Sequence, residues 1–157
     1  MGIQKASFGM GCFWGAEEAF SKVDGVVSTA VGYMGGNLEN PTYEQVCTGK
    51  TGHAETVQLE YDTEKISYEE VLEVFWDYID PTSINRQGPD YGTQYSSVIF
   101  YHSEEQKMLA LKSKEELEKS GKYKKPIVTQ IVPASTFYRA EEYHQRYFEK
   151  HGGSCHV

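Results

Sequence analysis

The chain predicts an α+β fold of the ferredoxin-like, split βαβ kind, with further elements added towards its C-terminus. Its segments fall in the order β-α-β and then β-α-β, and two of them carry the prediction. Residues 53–61 alternate strictly: His53, Glu55, Val57, Leu59 and Tyr61 share one face, Ala54, Thr56, Gln58 and Glu60 the other, which is the period of a strand. Ser67 followed by Glu70 reads as a capping box, opening a helix whose Val71, Leu72, Phe75, Trp76 and Ile79 form one apolar stripe before Asp80-Pro81 stops it. Helices are expected to cover one face of the sheet and leave loops to build a site.

The remaining elements follow in order. Residues 3–9 read as a short strand entering a turn around Gly9 and Gly11, and the segment from Phe13 to Lys22 as a helix. After the Asp24-Gly25 turn, Val26, Val27, Thr29, Val31 and Tyr33 are β-branched and aromatic, a second strand over 26–33. Residues 35–52 and 80–94 are rich in turn formers and read as long irregular loops, which in compact domains usually serve function. Tyr95 to Tyr101 is the next strand. Ser103 with Gln106 caps a helix carrying Met108, Leu109, Leu111 and Leu117 and closed by Gly121. Pro126 to Val132 is expected as a strand and Tyr138 to Lys150 as a final helix, ended by Gly152-Gly153.

With 157 residues the chain is read as a single catalytic domain, 1–157, whose tail from about 152 to 157 is flexible. A net charge of −8 gives no electrostatic case for nucleic acid or for acidic membranes. No apolar run suits a signal peptide or a membrane span, and no myristoylation pattern follows Gly2. Three dispersed cysteines do not make a disulfide scaffold, so a cytoplasmic protein with reduced or transiently oxidised thiols is expected. A monomer is expected too.

Cys12 is the residue with the strongest chemical context. It stands at the start of the expected helix, where unsatisfied amides and the positive end of the helix dipole favour thiolate over thiol. Gly9 and Gly11 let the backbone approach a ligand closely, and Phe13 and Trp14 add an apolar wall. The plain alternative is an inert buried thiol. Glu55 lies on the strand face of Val57 and Leu59. Burial there would raise its pKa and keep it protonated as a general acid, whereas at a strand end it would reach water or a lysine. The two loops add Tyr43 and Cys47, then Asn85, Arg86, Gln87 and Asp90, with Tyr95 where loop meets strand. Singly, each tyrosine reads as packing. Cys155, beyond two glycines, has the mobility of a resolving cysteine or is simply an exposed tail thiol. His151, Cys155 and His156 match no zinc spacing, so no metal is expected.

Together these segments resemble the type A peptide methionine sulfoxide reductases over nearly the whole chain. Gly11-Cys12-Phe13-Trp14-Gly15 resembles the family's nucleophile motif. Gly32-Tyr33, Gly35-Gly36, Asn40-Pro41-Thr42-Tyr43, Val46-Cys47-Thr48-Gly49 and Gly52-His53-Ala54-Glu55 resemble its second signature. Gln87-Gly88, Asp90 and Gly92-Thr93-Gln94-Tyr95 resemble the third, and Ala140-Glu141-Glu142-Tyr143-His144-Gln145 the last helix. Pro89 departs from the pattern, where Asn is expected, and stiffens the loop carrying Asp90.

The resemblance implies a mechanism. Cys12 attacks the sulfur of an S-epimer methionine sulfoxide, free or in a protein. Glu55 holds and protonates the oxygen, helped by Tyr43 and Tyr95. Phe13 and Trp14 pack the methyl group, and Asp90 orients the substrate amine or amide. Cys12 is left as a sulfenic acid. Cys155 then forms a Cys12–Cys155 disulfide, which an external dithiol such as thioredoxin reopens; Cys47 is open to intervene. No metal or organic cofactor is implied, and the role is protein repair under oxidative stress.

Two rival readings remain at this stage. One is another thiol enzyme: a peroxidase, or a hydrolase using His53 as the base near Cys12. The other is a binding module for oxidised methionine or a partner peptide, with Cys12 merely structural, which the reactivity of the thiol would discriminate.

Overall fold

A computed structural model describes residues 2–83, 85–87, 90–147 and 150, with the backbone alone at 86, 90 and 91. Its elements in chain order are β1 (Ile3–Met10), α1 (Phe13–Ser21), β2 (Val26–Met34), α2 (Tyr43–Cys47), β3 (Ala54–Asp62), α3 (Tyr68–Tyr78), β4 (Arg86–Gln87), β5 (Asp90–Tyr91), β6 (Ser97–Tyr101), α4 (Glu104–Lys119), β7 (Gln130–Pro133) and β8 (Tyr138–Arg139). Short 3-10 turns cover Thr93–Tyr95 and Glu142–His144.

The main sheet runs β7-β6-β1-β3-β2-β8. Its four central strands, β6-β1-β3-β2, pair antiparallel throughout, with β3 inserted between the parallel ends of the β1-α1-β2 unit. That is the split βαβ expected from the sequence. β7 adds a parallel edge beside β6 and β8 an antiparallel edge beside β2.

Register sets which side chains share a face. Phe8 lies opposite Val57 and Ile99, Val31 opposite Val57, and Tyr33 opposite Glu55. The alternation read over 53–61 therefore holds, and Glu55 sits on the helix-covered face at the end of its strand. Helices α1 and α3 pack there over Phe8, Phe20, Val57, Leu59, Val71, Leu72 and Phe75, all buried. Both expected caps form: Ser67 and Glu70 exchange two hydrogen bonds, and Ser103 accepts from the amide of Gln106.

Several expected boundaries move. The strand after the second loop begins at Ser97, because Tyr95 belongs to the preceding turn. The strand expected over 126–132 is confined to Gln130–Pro133. The loop over 35–52 contains α2, opened by a capping box in which Thr42 and Gln45 exchange bonds of 3.2 and 2.9 Å. The loop over 80–94 contains the β4-β5 ribbon. On α4, Met108 and Leu111 are exposed; Gln106 and Ala110 are the buried positions, with Leu109 and Leu117 partly buried against the core.

The largest correction falls on the expected helix from Tyr138 to Lys150. Residues 138–139 instead extend the sheet beside β2, and a Cβ on Gly32 would collide with the Tyr138 carbonyl, so only glycine admits the pairing. Beyond it, the Gln145 amide accepts from Val31 N at 2.9 Å and donates to Val31 O and Ala140 O, each at 2.9 Å. Arg146 then takes a positive φ of 53°, which an α-helix cannot continue through, so of the expected helix only Tyr147 and Lys150, beyond that break, are α-helical among the described residues. Satisfying the β2 edge outweighs the local helical pattern.

Candidate active site

The site is built where the end of β1 turns into α1. Gly11 has φ +91°, and a Cβ there would stand 2.8 Å from Cβ of Gln87, itself fully buried. Gln87 is fixed by the backbone of Asp80, whose amide donates to Oε1 at 2.9 Å and whose carbonyl accepts from Nε2 at 3.0 Å. This tight turn delivers half-buried Cys12 as the N-cap of α1, with Ala16 N donating to the Cys12 carbonyl at 3.2 Å. The helix-start placement expected for the thiol is thus observed, and Cys12 and Cys47 are both thiols rather than disulfide partners.

The first turn of α1 contains no acidic side chain. The carboxyl at this helix end comes from β3: Phe13 N donates to Glu55 Oε1 at 3.1 Å, and Glu55 is 1% exposed. Of the two readings for Glu55, the buried one is the outcome. The Glu55 carboxyl thus meets the amide of the residue next to Cys12, at the positive end of the helix that Cys12 caps.

Around them stands a cluster of rings. Phe13 is buried, with centroids 5.7 Å from Tyr33, 6.1 Å from Tyr43 and 5.2 Å from His144. Trp14 stacks on Tyr147 at 3.8 Å and donates from Nε1 to Nδ1 of His144 at 3.0 Å. The Tyr43 hydroxyl titrates well above its ordinary value, first because of burial, then because of the neighbouring Glu55, Cys47 and Tyr95. Tyr43 is therefore a protonated donor in the same neighbourhood as Glu55 and Tyr95. Tyr33 is likewise pushed up, by burial and then by Glu141, whose carboxylate accepts from Tyr33 Oη at 3.0 Å and from Tyr43 N at 3.1 Å.

The fold brings Cys12, Phe13, Trp14, Tyr43, Glu55 and Tyr95 together. The Asp90 side chain lies outside the described residues, as do Pro89, Cys155 and the group His151, Cys155 and His156. Cys47 is exposed at the end of α2; partial desolvation of its sulfur and the charges of Glu55 and Glu141 hold its pKa above the ordinary value, against an opposing bond from Tyr43. That favours thiol over the thiolate that exchange requires. His53 does not serve as a base for Cys12: its Nδ1 accepts from Gly36 N at 3.0 Å and its Nε2 bonds the Leu38 carbonyl at 2.7 Å, anchoring the loop.

Four buried or supporting residues escaped the sequence reading: Glu17, Glu141, His144 and Gln145. Glu17 accepts from Thr29 Oγ1 at 2.8 Å and from Arg146 N at 2.6 Å, tying α1 to the C-terminal segment. The signal for the other three was the run from Ala140 to Gln145, whose helical pattern conceals which of its groups face inward.

A half-buried thiol at a helix start, a buried carboxyl bonded to the next amide and protonated phenols, walled by aromatic rings, suit a thiol enzyme acting on a small group that is polar at one atom and apolar at its neighbour. Known proteins agree with that chemistry. The sequence model described as peptide methionine sulfoxide reductase matches residues 4–157. The chain is 64% identical over 151 residues to the peptide methionine sulfoxide reductase MsrA of Methanoculleus marisnigri, covering 96% of this chain and 92% of that one. It superposes on reduced Mxr1 of Saccharomyces cerevisiae with a TM-score of 0.89 at 38% identity, over 95% of this chain and 86% of the other. Mxr1 in complex with Trx2 superposes with a TM-score of 0.65 at 26% identity, over 93% and 85% of the two chains. The chain belongs to the peptide methionine sulfoxide reductase family and is an oxidoreductase that reduces methionine sulfoxide with thiols. Among the described residues no helix is long and apolar enough to cross a membrane.

Proposed function

We propose that Cys12 is the nucleophile, Glu55 the acid, Tyr43 and Tyr95 the hydrogen-bond donors to the sulfoxide oxygen, and Phe13 and Trp14 the wall that receives the methyl group. The observation that carries this reading is the buried Glu55 carboxyl bonded to the first amide of the helix that Cys12 caps. In net terms the Cys12 thiolate, one proton and the sulfoxide give the thioether and a Cys12 sulfenic acid. Sulfur of the substrate gains two electrons and sulfur of Cys12 loses two. The phenols and carboxyl stabilise charge building on oxygen as its bond to the substrate sulfur weakens. Burial removes the water that would otherwise solvate a Glu55 charge, which suits a group that donates a proton.

Resolution is assigned to Cys155: its thiol attacks the sulfenic sulfur, water leaves, and a Cys12–Cys155 disulfide forms. A thioredoxin-type dithiol then takes the disulfide, a reading supported by the yeast relative's complex with Trx2. Asp90 is assigned to the substrate amine or amide. The S-epimer is the substrate, free or within oxidised proteins, and the protein works as a cytoplasmic monomer in repair. We assign the reaction no metal or organic cofactor. Residues 1–157 act as one catalytic domain, with the tail from about 152 carrying Cys155.

The test is an anaerobic single turnover of the reduced protein with methionine S-sulfoxide, counting methionine formed and thiols lost by mass spectrometry. One methionine per chain with a Cys12–Cys155 link is the expected result. Methionine without that link moves the resolving role to Cys47 or an outside thiol. No methionine with thiols intact overturns the assignment of Cys12.

A further inference from the structure

Three of the chain's methionines, Met10, Met34 and Met108, fall among the described residues. Met10 and Met34 are core side chains, 1% and 0% exposed, whereas Met108 is 68% exposed. A thioether is oxidised only where an oxidant can touch its sulfur, so Met108 is the one of the three that a peroxide in solution meets. Helix α4 fixes that exposure. Gln106 and Ala110 are its inward positions, and Leu109 and Leu117 lean on the core. Two residues on from Gln106, Met108 falls on the outer side, one turn from exposed Leu111.

The same anchoring sets Met108 far from the Cys12 of its own chain. Gln106 donates from Nε2 to the Lys5 carbonyl at 2.8 Å and accepts from His102 N at 2.8 Å, while Lys107 Nζ stands 5.6 Å from the centre of the Tyr101 ring. The start of α4 is thereby held beside Lys5, and β1 runs on from there through Met10 to Cys12. At about 3.3 Å per residue, the strand alone covers about 16 Å of that path. Strand β6, which leads into α4, pairs antiparallel with β1, with Ser97 opposite Met10 and Phe100 opposite Ser7. Helix α4 therefore opens at the end of the sheet away from the thiol, and a methionine side chain does not bridge the gap.

Resting on the assignment of Cys12 as nucleophile, we propose that Met108 is a modification site at which this reductase is its own substrate: peroxide oxidises the Met108 thioether, and Cys12 of a second copy of the chain reduces the sulfoxide. In the first step the thioether sulfur takes one oxygen from hydrogen peroxide and loses two electrons, and water is released. In the second, the sulfoxide sulfur regains two electrons from the Cys12 thiolate of the other copy, and with one proton the oxygen ends on that Cys12 as a sulfenic acid. A dithiol returns the sulfenic acid to thiol, becoming a disulfide with loss of water. Met108 belongs neither to the core nor to the site, so the cycle removes peroxide at the expense of a dithiol while fold and activity are kept.

The test uses the Cys12→Ser chain as substrate, treated with dilute hydrogen peroxide, checked for folding by circular dichroism and mapped by mass spectrometry of its peptides. Met108 should take up one oxygen while Met10 and Met34 stay unoxidised. Reduced wild-type chain with dithiothreitol should then restore about half of the Met108 sulfoxide, because chemical oxidation gives both epimers and each has its own reductase. Dithiothreitol alone should restore none. In wild-type protein oxidised in the same way, the fraction of Met108 restored per minute after dithiothreitol is added should double when the protein concentration doubles. Met108→Leu should turn over free methionine S-sulfoxide at the wild-type rate and take up no oxygen on α4. Three results overturn the proposal: Met10 or Met34 oxidised in the folded chain as readily as Met108, Met108 sulfoxide left intact by wild type that reduces free methionine S-sulfoxide, or recovery per chain that does not depend on concentration. Wild type that reduces neither the free nor the Met108 sulfoxide overturns the assignment of Cys12 along with it.

Discussion

Two aromatic clusters lie on the same face of one sheet and are built on opposite rules. Around Phe8 the rings of Phe20, Phe75 and Tyr68 stack at 5.5, 4.9 and 6.5 Å, and aliphatic side chains fill the space between. Around Phe13 nearly every neighbouring ring carries a polar atom: Tyr33 donates to Glu141, Trp14 donates to His144, and Tyr43 is a protonated phenol near Glu55. The first cluster gains its free energy from area removed from water, which is tolerant of direction. The second gains little from area alone and depends on donors meeting acceptors. Damage to the Phe8 cluster should therefore appear as lost stability, and damage to the Phe13 cluster as lost chemistry in a folded protein.

The sharpest separation is expected from Cys12→Ser. It should lower methionine production by about three orders of magnitude or more, as loss of a nucleophile does, and leave the urea midpoint unchanged; an active serine variant would remove Cys12 from the mechanism. Phe8→Ala should do the reverse, costing about 3–5 kcal/mol through lost burial and the cavity left behind. Equilibrium urea unfolding measures it, and the fraction still folded should turn over normally. Glu55→Ala should reduce kcat/KM by about 10²–10³, the effect of removing a preorganised group at a developing oxyanion. Glu55→Gln should lie between Ala and wild type, since it keeps a donor but has no proton to transfer. Equal rates for all three would end the acid assignment.

The smallest effect concerns pH. His144 titrates below its ordinary value in the folded state. The unfolded chain thus binds the proton more readily, so the contribution of this group to stability is present above about pH 6.5 and is lost as pH falls through the folded pKa. Thermal unfolding between pH 8 and pH 5 should show His144→Asn losing less Tm than wild type, by about 2–4 °C if the difference approaches 1 kcal/mol. An identical pH slope in both proteins would place the titration elsewhere.

The same contrast governs what could be read in advance. Strand β3 and helix α3 were legible because alternation and a Ser67–Glu70 capping box are local signals with a fixed period. The Thr42–Gln45 box is of the same kind, yet α2 has only five residues and no apolar stripe, so nothing distinguished it from its loop. Within the expected helix Tyr138–Lys150, residues 138–146 failed differently. They read as helix, but the open edge of β2 takes Tyr138 and Arg139 as a strand and the Gln145 amide as a further backbone-like pair.

By itself the sequence determined the α+β order, the helix start at Cys12, the strand face of Glu55 and the family, since each is written in residues close together in the chain. Tertiary structure alone decided that the Glu55 carboxyl reaches the Phe13 amide 42 residues away and that His144 accepts from Trp14 130 residues away. No local pattern encodes such pairings. They follow from strand order and register, which bring the ends of β1 and β3 and the segment after β8 to one place and leave each buried polar atom there to find the partner within reach.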